Sequence, residues 1–328
     1  HNRRDSYLMK CPLCNSKKSK FSDIYKFNVQ YDKKYFGEPH LEVCMDCNLG
    51  FANPMPIKNK VNEYYKSIYR SAGRPHYEDS RSPPLPNHIH LEIINNLSSM
   101  LDLSNVSTIL DVGAGWGAIG MLLLQRYPHI SIYTIEPDKH CQEVLLNRGY
   151  KIVESFQDIK NCNAEVVISL HCLEHFLSPR DFVEVYKPYI SDDATVLLEV
   201  PNCRFGEGFE ERPYDSPHLL FFNSESMEKF AKLNNLEIIA MFTTGRDTKD
   251  SFEGMSNWIN EYGNWLPGDI KRKTAKEIIK SYIPPRIKNS IRALIEKKSK
   301  KLMAKQFTNF SKYSSDHSNL RCILKVKN

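Results

Sequence analysis

The stretch that most constrains this chain is Thr108-Ile-Leu-Asp-Val112, which runs at once into Gly113-Ala-Gly115-Trp-Gly117 and Ala118-Ile-Gly120. An apolar strand that must turn straight into a helix needs residues without a Cβ where backbone and ligand come close. Gly113, Gly115 and Gly117 supply them. The free N–H groups of such a turn suit an anionic ligand group. Gly113, Gly115 and Ala118 also satisfy the dinucleotide fingerprint, so the glycines alone leave the ligand open. The run 130–136 reads as a second strand ending in Glu136, about 20 residues past the glycines, where a carboxylate accepts ribose hydroxyls.

Downstream the pattern alternates regularly. Strands are expected to Val112, to Glu136, over 151–154, 165–170, 195–200 and 236–242, with helices over 118–127, 138–148, 179–189 and 224–234. Such alternation predicts an α/β fold with a doubly wound, mostly parallel sheet and the ligand at the carboxyl ends of its strands. The run 320–326 alternates and suits a final edge strand. Asp158 follows a third strand, and the fourth runs straight into His171-Cys-Leu-Glu174-His175.

Asp111, the three glycines, Glu136 and Asp158 together resemble class I S-adenosylmethionine methyltransferases, whose Asp-x-Gly-x-Gly-x-Gly turn, ribose acid and acid beside the adenine fall in this order. The resemblance implies a Rossmann-like sheet of seven strands, the last antiparallel beside strand six. It implies S-adenosyl-L-methionine as cofactor, held by Asp111, Gly113, Ala114, Gly115, Trp116, Glu136, Pro137, Asp158 and His171.

Four of the nine cysteines form Cys11-Pro-Leu-Cys14 and Cys44-Met-Asp-Cys47. Two such knuckles can close a tetrahedral thiolate site around Zn²⁺. Asn15 and Asn48 follow the second cysteine of each pair, where a knuckle needs a left-handed residue and Asn tolerates one. All four ligand positions are filled by protein, so the ion is expected to be structural. The other five cysteines are scattered, which argues against a disulfide framework and for a reducing, cytoplasmic setting. No apolar run reaches membrane-spanning length.

The expected organisation is a zinc ribbon over 1–56, a helical linker with a lid segment over 57–105, a methyltransferase core over 106–243, a helical insertion over 244–318 and the last core strand over 319–328. Tyr77 is a candidate lid contact. Residues 271–305 carry thirteen Lys or Arg against Glu277 and Glu296, while the whole chain is only +6. That local charge is either a solvated face or a surface for anionic partners such as diphospho-sugars or lipid phosphates, giving peripheral membrane contact.

Methyl transfer to an alcohol requires an aligned acceptor and a base for its proton. His171, Glu174 and His175 are expected on one helical face, with His218 of Ser216-Pro-His218-Leu-Leu-Phe-Phe222 reaching the same pocket. In one mechanism His171 or His175 is the base, oriented by Glu174. In the other, His171, Glu174, His175 and His218 hold a divalent ion, as in the metal-dependent ubiquinone-type and small-RNA 2′-O-methyltransferases that this motif resembles. His171 stands where their first Glu would be, which favours the metal-free base. Ribbon, His-x-x-Glu-His and Pro-His-x-x-Phe-Phe together resemble a bacterial methyltransferase group of polysaccharide and nucleotide-sugar biosynthesis. That resemblance implies a sugar or glycan acceptor, O-methylated in preference to C-methylated, since the further C-terminal domain of the deoxysugar C-methyltransferases is missing. No nucleic-acid partner is expected. The alternative is a nucleic-acid-binding protein with an inactive methyltransferase fold.

Overall fold

The strand and helix alternation closes into a seven-stranded sheet in the computed structural model, which describes residues 10–24, 32–70, 86, 88–154, 162–203, 217–244 and 319–327. In chain order the strands are β1 Ser19–Ile24, β2 His40–Cys44, β3 Gly50–Asn53, β4 Thr108–Val112, β5 Ser131–Ile135, β6 Lys151–Ile152, β7 Ala164–Leu170, β8 Ile190–Pro201, β9 Leu220–Phe221, β10 Leu236–Thr244 and β11 Asn319–Val326. The large sheet has the order β10-β11-β8-β7-β4-β5-β6. β4 pairs parallel with β5 and β7, and β7 with β8. β11 runs antiparallel to both its neighbours. This is the Rossmann-like class I methyltransferase arrangement.

The last strand is not an edge strand as its alternation suggested. β11 lies between β10 and β8, and Asn319 to Leu324 are all buried. Both of its faces are therefore covered, and its polar positions are matched by partners within the fold. Leu320, Cys322 and Leu324 join one face of the core with Leu110, Val167 and Leu198. Ile323 joins the other with Ile109, Ile168, Leu197 and the helix His88–Met100. Alternate residues along a strand point to opposite faces, so Arg321 and Glu199, opposite one another in register, share the face toward that helix.

The small sheet has the order β1-β2-β3-β9. β9 comes from the Pro-His-x-x-Phe-Phe segment, so the ribbon's sheet is completed by a strand of the methyltransferase core. Cys11, Cys44, Cys47, Leu49 and Phe51 belong to the same buried cluster as Val112, Leu173, Phe222 and Met227. The segment after the ribbon begins as the helix Lys58–Glu63 and then widens into a π-helical turn, Tyr64–Ile68. The Tyr69 amide closes that turn on the Tyr64 carbonyl at 2.8 Å.

Tyr77, Asp158 and the basic stretch 271–305 lie outside the described residues. Among the described residues, no helix is long and apolar enough to cross a membrane.

Candidate active site

A cleft of about 1010 Å³ opens at the carboxyl ends of the central strands, lined by the glycine turn, Glu136, Pro137, His171, Cys172 and His175. Gly113 has φ +73, and a Cβ there would meet Cys172 Sγ at 2.5 Å. The glycine turn and the loop after β7 are thus pressed together, which only a residue without a side chain permits. The Gly113 amide donates to the Ile135 carbonyl at 3.0 Å, tying the turn to the end of β5.

Glu136 follows β5. Its carboxylate accepts from the Gly115 amide at 2.9 Å and the Asp138 amide at 3.1 Å. Burial pushes Glu136 up to about 7, against those two amides. Asp111 is also pushed up to about 7 by burial. It accepts from the Tyr150 hydroxyl at 3.0 Å, and that oxygen accepts from the Gly120 amide at 2.9 Å. Asp111 therefore lines the cleft and at the same time fixes the helix Ala118–Arg126 behind the glycine turn. Ala114 and Trp116 also line the cleft. Arg70, which sequence reasoning passed over, sits over the Trp116 ring at 5.2 Å and close to Gly115. No motif announced it, because it reaches the turn from the π-helical segment about 45 residues upstream.

The structure separates the two histidines that the sequence grouped. His171 does not start a helix. It follows β7 with φ 52 in the left-handed region, and only Leu173–His175 forms a 3₁₀ turn. Its Nε2 lies 3.1 Å from Glu199 and its Nδ1 3.4 Å from Glu174. Burial disfavours the imidazolium, but the two carboxylates outweigh it and hold His171 at about 9. Such a ring is already protonated at neutral pH and cannot accept the acceptor's proton. That pair of carboxylates sets His171 against the expected role of base.

His175 has the opposite character. Burial lowers its pKa against the pull of Glu174, so the neutral ring prevails. Its Nδ1 faces the Pro217 carbonyl at 3.4 Å, and Nε2 stands 4.0 Å from Glu174. Tyr65 and His218 flank the ring at 5.4 and 5.0 Å between centroids. Glu174 is 1% exposed, and neither of its carboxylate oxygens has a hydrogen-bond partner among the described residues. Burial raises its pKa, yet the neighbouring histidines hold it below the usual range. Glu174 and His218 do not line the cleft; they stand behind His175.

Sequence reasoning also missed the support of this loop. Arg321 is 1% exposed, and its Nε donates to Glu199 at 2.6 Å. Its Nη1 reaches Glu92 at 3.0 Å and Asn96 at 2.5 Å. Arg321, working against the burial penalty, holds Glu199 at about 2. The available signal was charge at inward positions of otherwise apolar strands, Glu199 in Val196-Leu-Leu-Glu-Val200 and Arg321 in Leu320-Arg-Cys-Ile-Leu324.

The four knuckle cysteines come together. Cys11 and Cys47 lie 3.6 Å apart, as do Cys14 and Cys44, and all four sulfurs fall within 4.8 Å. Four thiolates about 2.3 Å from one ion stand about 3.8 Å apart, so the cluster fits a tetrahedral metal. The knuckles are built alike, the Cys11 amide donating to the Ser16 carbonyl and the Cys44 amide to the Leu49 carbonyl. Asn15 and Asn48 take φ 60 and φ 57.

A family model described as a methyltransferase domain matches residues 87–241. Among curated proteins, none matches the chain. Solved structures similar to it include coclaurine N-methyltransferase bound to N-methylheliamine and SAH, 10% identical over 83% of this chain and 79% of that one, TM-score 0.44. Phosphoethanolamine N-methyltransferase 2 of Haemonchus contortus, with S-adenosyl-L-methionine, is 14% identical over 94% and 68%, TM-score 0.46. A SAM-dependent methyltransferase from Geobacter sulfurreducens, with S-adenosyl-L-homocysteine, is 12% identical over 76% and 96%, TM-score 0.42. Sheet order, glycine turn and the family match over 87–241 agree: the chain carries an S-adenosylmethionine-dependent methyltransferase domain.

Proposed function

We propose that this enzyme O-methylates a sugar or sugar-linked group in bacterial surface polysaccharide biosynthesis, with His175 as general base. The observation that carries the assignment is the placement of a neutral His175 in the cleft wall with the buried Glu174 carboxylate behind it. Bound S-adenosylmethionine supplies an electrophilic methyl on a sulfonium sulfur. The Pro217 carbonyl favours the tautomer with hydrogen on Nδ1 and the lone pair on Nε2. As the acceptor oxygen bonds to the methyl carbon, the His175 ring takes the hydroxyl proton and Glu174, on its far side, stabilises the imidazolium. The C–S electrons stay on sulfur.

On the cofactor side, Glu136 is assigned to the ribose, Gly113 to Trp116 and Pro137 to the cleft floor, and Arg70 to the cofactor's carboxylate. Tyr65 and Tyr69, packed against each other at 5.4 Å beside His175, support a sugar acceptor, since aromatic faces pack well on the C–H faces of a pyranose. The basic stretch 271–305 suits a phosphate-bearing or lipid-linked acceptor, and the Cys11, Cys14, Cys44, Cys47 cluster is assigned structural zinc. With labelled methyl donor, transfer is expected to nucleotide sugars, sugar phosphates or surface-glycan extracts and not to RNA or protein. Labelling of RNA alone would sink the sugar reading.

A second reading is favoured by one observation. Glu174, His175 and His218 can each bring a ligand atom within 4.8 Å of the others, enough for a divalent ion, with His171 drawn away to Glu199. Activity that disappears with EDTA and returns with Mg²⁺ or Mn²⁺ would establish it over the metal-free base.

A further inference from the structure

The stretch 217–223 touches both the cysteine cluster and the loop that carries His175. On the ribbon side, β9 pairs with β3, Gly50 opposite Phe221 and Phe51 opposite Leu220, and the Ala52 amide donates to the Leu219 carbonyl at 2.9 Å. Asn223 closes the stretch. Its Nδ2 donates to the Asn48 carbonyl, one residue past Cys47, at 2.8 Å. Its Oδ1 caps the helix Ser224–Leu233 by accepting from the Ser226 amide at 3.0 Å. On the catalytic side the Leu219 amide donates to the Glu174 carbonyl at 2.8 Å. The Pro217 carbonyl faces His175 Nδ1, and the His218 ring lies against that of His175.

We propose that the four-cysteine ribbon, closed by its metal ion, is the positioning element for His175, acting through this stretch. β9 is two residues long, so its place is set by what it pairs with rather than by a ladder of its own. Its partner β3 follows directly from the Cys44 to Cys47 knuckle, whose closure depends on a bound ion. Without the ion, four sulfurs within 4.8 Å of one another lose what holds them together. The knuckle opens, the Asn48 carbonyl and β3 shift, and the Pro217 carbonyl and His218 move with them. His175 then loses the contacts that set its tautomer and place its ring. The catalytic consequence rests on His175 being the base; the coupling itself concerns only where the rings sit.

The substitution Asn223→Ser separates the two jobs of this side chain. Serine caps a helix nearly as well as asparagine but has no amide to reach Asn48. In the full chain loaded with zinc, Asn223→Ser is expected to keep its zinc and to bind S-adenosylhomocysteine within about twofold of the parent protein, the limit for independent sites. The Leu219 amide should exchange about tenfold faster, because its local opening becomes easier. The ring signals of His175 and His218 should move in histidine-resolved NMR spectra. Stripping zinc from the parent chain should produce the same changes, and adding zinc back should reverse them. Histidine signals and Leu219 exchange that match the parent in Asn223→Ser would overturn the proposal, as would uniformly faster exchange throughout the core. If the stripped chain unfolds, Asn223→Ser decides alone. Full turnover by His175→Ala would refute the base and leave this coupling intact; unmoved histidine signals would refute the coupling and leave the base intact.

Discussion

His171 and His175 show how position, not residue type, decides what an imidazole does. His171 sits between Glu174 and Glu199 and carries its proton; His175 is half-buried with one carboxylate 4.0 Å away and does not. His175→Ala should lower kcat by roughly 10²–10⁴ with cofactor affinity nearly intact, as expected for a group acting only in the transition state. Steady-state rates and calorimetry check this together. His171→Ala should instead cost stability in a pH-dependent way. Its folded pKa is raised to about 9 from a usual value near 6.5, so its contribution is full below about pH 6.5 and is lost as pH rises through about 9. Melting curves of the parent and His171→Ala should therefore converge above pH 9; a gap that persists there would refute the imidazolium. Glu136, raised to about 7 by burial, has the linkage a ligand can exploit. Only the carboxylate accepts two ribose hydroxyls, so cofactor binding should release a proton and tighten as pH rises toward 7, then level off. Glu136→Gln should bind more weakly and show no such slope in titrations from pH 5 to 8.

At the scale of elements, β11 joins parts of the chain far apart in sequence. Arg321 pairs across the sheet with Glu199 of β8 and reaches Glu92 and Asn96 of the helix His88–Met100. Glu199 in turn holds His171. Arg321→Met should cost about 3–5 kcal/mol in urea unfolding, because it takes the closest cationic partner from a buried carboxylate. Adding Glu199→Leu should recover part of that loss, because the buried carboxylate is then gone. A loss below about 1 kcal/mol for Arg321→Met would mean that Glu199 is solvated rather than locked. The π-helical turn Tyr64–Ile68 is a second such element. By closing on i→i+5 it places Tyr65 against His175 and brings Arg70 over Trp116. The linker was readable as helical; the extra residue in the turn was not, since it follows from packing on the loop after β7.

For the whole molecule, the ribbon and the catalytic core form one packed unit. The cysteines share a buried cluster with Val112, Leu173 and Phe222, and the ribbon's sheet borrows β9. Chelating the ion proposed for the cysteine cluster should therefore lower the melting temperature of one cooperative transition, with no separate early melting of the ribbon, as calorimetry with and without chelator can show. The sequence by itself determined the local things. Glycine spacing, βα alternation, the acid ending β5 and the paired knuckles with Asn15 and Asn48 each follow from backbone sterics and ligand chemistry within a few residues. Tertiary structure alone decided which residues meet across the chain. It moved β11 from the edge to between β10 and β8, made Leu220–Phe221 the ribbon's fourth strand, and made one histidine after β7 a cation and the other a neutral ring. The reason is physical: a pKa, a buried ion pair or a two-residue strand depends on the groups that burial brings alongside, and for His171 those are Glu199 and, behind it, Arg321, 28 and 150 residues further along.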